Sequence, residues 1–250
     1  MIEILFTNIG LTRILEFVAA LAVTFSYILI KESKTRTFKF LLFFLWVTVL
    51  IEFIGSYARL VEPYCFEDIT FFKEHPQFTK NYWIFNIYLA LTYTFYAWYF
   101  LKHLISKNNK KIILYAIFIF NIITIADFMF GGVFFIGYSQ LMNLFGLIFI
   151  MIVLSMYYYE ILKSDRILNI THTLPFYISI GVLLYFISVT PLMLSSQYIK
   201  PEEIVFTTYY RLILNYANYF LYGIIIFGIV KCYWFNKSQN TKFSSSPTLL

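Results

Sequence analysis

Seven mostly apolar stretches run along the chain, at roughly 9–31, 38–61, 81–104, 111–129, 137–163, 174–196 and 207–233. Each approaches or exceeds the ~20 residues that a helix needs to cross a bilayer core. None alternates with period 2, the mark of a transmembrane barrel strand. In lipid only helices and closed barrels satisfy every backbone group. The pattern therefore predicts an all-α polytopic membrane protein, a seven-transmembrane-helix bundle filling residues 1–235. The tail, 236–250, is polar and Ser-rich, and is expected to be disordered. Glu3 and the lack of Lys or Arg before Arg13 argue against a signal peptide, so the first stretch reads as a retained helix.

Composition agrees with this picture. Hydrophobic residues make up 60% and charged residues 13%, with mean hydropathy +0.74. Soluble domains run near ~45–50% and ~25%. The net charge of +6 does not point to nucleic acid, because the basic residues sit between the apolar stretches and act as topology signals. The segments following stretches 1, 3, 5 and 7 hold 13 of the 19 Lys and Arg, among them Lys31, Lys107, Arg166 and Lys237. The positive-inside rule then places the N-terminus outside and the C-terminus in the cytoplasm.

Polar residues inside the stretches form stripes. Arg211, Asn215, Asn218 and Tyr222 are spaced i, i+4, i+7, i+11, one face of a helix. Thr48, Glu52, Gly55, Ser56 and Arg59 share a face, as do Arg13, Glu16, Ala20, Thr24 and Tyr27, and Asn86, Ala90, Tyr93 and Ala97. Lipid rejects such groups, so the stripes should face the bundle interior. With the predicted orientation nearly all lie in the outer half. The expected ligand-binding set is Arg13, Glu16, Glu52, Arg59, Asn86, Asp127, Asn143, Arg211, Asn215 and Asn218. Two arrangements satisfy this pattern. In one, Arg211 pairs with Glu52 or Glu16 and the amides bond across helices, fixing register. In the other, the stripes line an outward pocket rimmed by Tyr57, Tyr82, Trp83, Tyr209 and Tyr210.

Other chemistry finds little support. Cys65 and Cys232 fall on opposite sides of the membrane and cannot pair within one chain. His75, His103 and His172 cannot form a metal triad on this topology, so neither metal nor cofactor is expected. The seventh stretch lacks a central Lys, which excludes a retinal Schiff base like that of the microbial rhodopsins. Pro191, well inside the sixth stretch, should kink its helix or free a carbonyl.

Two resemblances add to this reading. The segment Pro201-Glu202-Glu203-Ile204-Val205-Phe206 resembles the Pro-x-Glu-Glu stretch of the membrane-bound lycopene cyclases. It implies that Glu202 and Glu203 protonate an olefin and steady a carbocation. Two acids favoured by a helix dipole are the simpler account. The seven Tyr/Phe-rich stretches, with runs such as Asn81-Tyr-Trp-Ile-Phe-Asn86, resemble small multi-pass membrane proteins of Bacteroidetes. That likeness implies an inner-membrane location and transfers no catalytic residue.

Three readings follow. The first is a receptor-like or sensor-like module, binding a small molecule or lipid headgroup from outside and signalling through a membrane or cytoplasmic partner. The second is an embedded enzyme acting on a lipid or isoprenoid. The third is a small carrier, which should show a matching inner-half stripe beyond Tyr157, Tyr158 and Glu160.

Overall fold

The computed structural model describes residues 8–29, 35–58, 70–195 and 204–244. Among the described residues are seven long helices: α1 (Asn8–Leu29), α2 (Arg36–Gly55), α3 (Tyr82–His103), α4 (Lys107–Phe130), α5 (Gln140–Leu162), α6 (Leu174–Ser195) and α7 (Ile204–Ser244). Each overlaps one of the seven apolar stretches; α2 ends earlier than its stretch, at Gly55, and α7 runs well past its own. A short helix, Thr70–Glu74, and a 3-10 turn, Pro76–Phe78, lie between α2 and α3, and a 3-10 segment, Asp165–His172, joins α5 to α6. No strand occurs among the described residues.

The helix starts are locally encoded. Thr35, Ser106 and Ser139 cap α2, α4 and α5, each accepting a backbone N–H from three residues on. Such caps satisfy donors that have no intrahelical partner.

Six of the helices are long and apolar enough to cross a membrane: Leu11–Leu29, Arg36–Gly55, Lys107–Phe130, Gln140–Leu162, Leu174–Ser195 and Val205–Cys232. The chain is thus a helical multi-pass membrane protein by length and composition. α3 has similar length but carries Asn86, Thr92 and five buried or half-buried tyrosines. Its position explains that composition. Ten of its 22 residues are buried, as many as in α5, against three of the 24 in α4, so α3 lies inside the bundle and α4 is a peripheral stave. The hydroxyls on α3 meet other helices rather than lipid: Tyr88 bonds Thr48 at 2.9 Å, and Thr94 bonds Asn121 at 3.2 Å.

Sequential helices pack against each other, and α7 closes the ring on α1. α3 also touches α5 directly, across the inside of α4. Gly146 on α5 permits that approach, because a Cβ there would sit 2.5 Å from the Tyr93 ring. The core is aromatic, with Tyr93 stacked on Phe186 at 4.5 Å and Phe44 on Phe95 at 3.9 Å. Outward faces are Phe, Ile and Leu, as on α4 from Leu114 to Phe130. Apolar residues outside and polar groups inside is the arrangement lipid imposes.

α7 differs from expectation at its far end. It remains helical to Ser244, through residues predicted to be disordered from 236 onward; residues 245–250 lie outside the described range. At ~1.5 Å per residue its length is about 60 Å, beyond the ~40–45 Å of a whole bilayer.

Candidate functional site

The end of the bundle where α1, α3, α5 and α7 begin is called here the top. A cavity of about 240 Å³ lies there. Its polar lining comes from Thr12, Arg13 and Glu16 on α1, Glu52 on α2, Asn81 just before α3, and Arg211, Asn215 and Asn218 on α7. Its remaining wall is largely apolar and aromatic, from α3, α6 and the loop before α5.

Register between α1 and α7 is set by Thr12, whose hydroxyl bonds the Asn215 side chain at 3.4 Å. One turn further down α1 is Glu16, only 4% exposed. Its Oε2 is buried without a hydrogen-bond partner, and the Tyr222 hydroxyl faces its carboxylate. Because Tyr222 follows Asn215 as Glu16 follows Thr12, α1 and α7 run parallel. Arg13 lies 4.0 Å from the Glu52 carboxylate through a buried Nε that makes no hydrogen bond. That is a charge contact without the directed bonds that make a buried ion pair favourable. Arg211 is exposed at the upper rim and forms no ion pair with the described residues. The lining carries two cations and two carboxylates, and two of their atoms, Arg13 Nε and Glu16 Oε2, are buried without a hydrogen-bond partner.

Six of the ten predicted site residues therefore converge: Arg13, Glu16, Glu52, Arg211, Asn215 and Asn218. Arg59 lies outside the described residues, as do Glu202, Glu203 and Cys65. The expected pairing of Arg211 with Glu52 or Glu16 is not formed; Arg13, on the adjacent helix, takes Glu52 instead.

Asn86, Asn143 and Asp127 do not line the cavity. They build a second polar cluster around the loop from Gly131 to Ser139. Asn86 is fully buried and donates to Phe134 O at 3.0 Å and Gly137 O at 2.9 Å, while its Oδ1 accepts Ser139 N–H at 3.2 Å. Ser139 Oγ donates to Asp127 Oδ2 and accepts Met142 N–H at 3.0 Å. Asn143 donates to Ser139 O at 2.7 Å. This half-buried loop has backbone groups outside any helix, and these side chains meet several of them.

The aromatic rim also differs. Tyr57 donates to Phe78 O at 2.6 Å and accepts from Trp83 Nε1 at 3.1 Å, and Tyr210 bonds Met193 Sδ at 3.2 Å. None of Tyr57, Tyr82, Trp83, Tyr209 and Tyr210 lines the cavity; Phe85, Tyr88, Tyr138, Tyr185 and Tyr222 do. Sequence reasoning missed Tyr88, Tyr138, Tyr185 and Met193. The only available signal was a lone tyrosine in an otherwise apolar face of α6.

At the opposite, lower end Glu160 is 9% exposed and saturated. It accepts the Ile105 and Ser106 N–H groups and Asn109 Nδ2 at 2.7 Å, clamping the start of α4. Tyr158 bonds Ser179 at 2.6 Å. Among the described residues, no three His, Cys, Asp or Glu converge as a metal site.

Comparison of the chain with protein-family models, curated proteins and solved structures finds no match.

Proposed function

We propose that the chain is a seven-span inner-membrane protein, N-terminus outside, whose top cavity binds a small molecule or lipid headgroup and passes that occupancy to a partner. The observation that carries the reading is Glu16 Oε2, buried in the cavity wall without a hydrogen-bond partner, below a rim cation, Arg211, that makes no ion pair with the described residues. Groups that fix helix register alone end up bonded to each other; these do not. Intramembrane charges that remain unsatisfied are functional candidates.

The seventh span in this topology is α3, whose tyrosines are shielded by its neighbours. The basic residues of the lower loops support the orientation. α7 supports the signalling element, because the helix that presents Arg211, Asn215 and Asn218 also continues to Ser244. A carrier would need a second polar stripe toward the lower end, and the groups there are consumed by Glu160 and Tyr158 contacts.

A thermal-shift screen of the purified protein against a broad metabolite collection tests this reading. At least one compound should raise Tm by several degrees, and Arg211→Ala should abolish the rise. A screen in which no compound shifts the wild type would overturn the reading.

A further inference from the structure

The geometry points to the chemical class of the ligand: a small zwitterion, with its ammonium held by Glu16 and its acid group by Arg211. This inference rests on the reading of the top cavity as a binding site.

Charge is the first argument. The lining contributes Arg13, Arg211, Glu16 and Glu52, a balanced set. The Arg13–Glu52 contact at 4.0 Å removes one charge of each sign. What is left is a carboxylate with a buried, unpartnered oxygen and a cation free of ion pairs with the described residues. A simple anion would meet Arg211 but face Glu16, and a simple cation would meet Glu16 but pass Arg211. A molecule carrying both charges satisfies both poles and leaves the site neutral. An ammonium also suits the aromatic wall of Phe85, Tyr88, Tyr138, Tyr185 and Tyr222, whose ring faces attract cations.

Depth is the second argument. Thr12 and Asn215 share a level, Glu16 lies four residues below it, and Arg211 lies four residues above it on the parallel helix. At ~1.5 Å rise per residue the two backbone positions are about 12 Å apart along the axis. The side chains shorten or lengthen that gap by their reach, but an α-amino acid, with its charges on one carbon, bridges it poorly. A short chain between ammonium and acid fits better.

Size is the third argument. The cavity, at about 240 Å³, is below the ~300–1,000 Å³ typical of drug-sized sites. At ~30 Å³ per water it has the room of about eight waters, which limits the ligand to a comparable number of heavy atoms. A free ω-amino acid and a phosphatidylethanolamine headgroup share this chemistry.

The test is a thermal-shift series on the full chain in phosphatidylglycerol nanodiscs. The soluble probes are glycine, 4-aminobutyrate and 6-aminohexanoate, with butylamine and butyrate as single-charge controls. The lipid arm replaces part of the phosphatidylglycerol with phosphatidylethanolamine or with phosphatidylcholine, whose quaternary nitrogen has no N–H. We expect a longer ω-amino acid, or phosphatidylethanolamine over phosphatidylcholine, to raise Tm by several degrees. Glu16→Gln and Arg211→Gln should each remove the rise. Glu16→Gln preserves side-chain shape and Arg211 is exposed, so both variants should fold. If butylamine or butyrate matches the zwitterions, or glycine matches the longer probes, the zwitterion inference fails while the pocket stands. If no arm produces a shift, the inference also fails, and the pocket itself is then judged by the broad metabolite screen.

Discussion

Two polar clusters share the top of this bundle and have opposite fates. Around the loop before α5, Asn86, Asp127, Ser139 and Asn143 bond one another and the loop backbone. Among α1, α2 and α7, Arg13, Glu16, Glu52, Arg211, Asn215 and Asn218 surround a cavity, and key atoms have no partner. The difference lies in what stands opposite each set. The first faces a half-buried loop backbone outside strand and helix, which has donors and acceptors to offer. The second faces other side chains and empty space. Polar residues in a membrane helix thus mark either irregular backbone or a site, and the test is whether the hydrogen bonds close.

That contrast can be broken by substitution. The largest effect is expected at Asn86→Ala, which takes the partner from two loop carbonyls and from the buried Ser139 N–H. It should destabilise the protein by about 3 kcal/mol, read from denaturant unfolding in micelles. Next is Glu160→Gln, which weakens charge-assisted bonds at the start of α4 and should cost about 2 kcal/mol in the same assay. The smallest stability effects belong to the cavity. Asn218→Ala and Arg211→Gln should stay within about 0.5 kcal/mol of wild type, because little inside the protein depends on them. If Asn218→Ala matched Asn86→Ala, the division between the clusters would collapse. If Asn86→Ala were silent, the loop would not need its side-chain partners.

The helices themselves were legible. Runs of about 20 apolar residues have few alternative folds in lipid, and α1 and α3 through α6 begin and end near their predicted limits. The α1, α2 and α7 stripes were legible for a similar reason, since 3.6 periodicity assigns a face and lipid forbids polar groups on the outside. Periodicity does not say what the face meets. Asn86 and Arg211 carry the same signal, yet one meets a loop backbone and the other an open rim. The loop from Gly131 to Ser139 turns some of its carbonyls toward Asn86, and its apolar Val133-Phe134-Phe135-Ile136 run has no pattern that announces this. Tyr185 was missed because α6 shows no polar stripe around it. The helical end of α7 was missed because a polar, Ser-rich composition describes exposure, whereas helix continuation there is inherited from the turn before.

The central claim is that the α1–α2–α7 cluster opens to the outer solution and the Asn86 cluster does not. Thiol labelling tests it most directly, in intact cells, with a membrane-impermeant maleimide and a chain whose Cys65 and Cys232 are replaced by Ser. Asn218→Cys should label from outside, and Asn86→Cys should resist until the protein is denatured. Protection of Asn218→Cys, or equal labelling at both positions, would contradict the account.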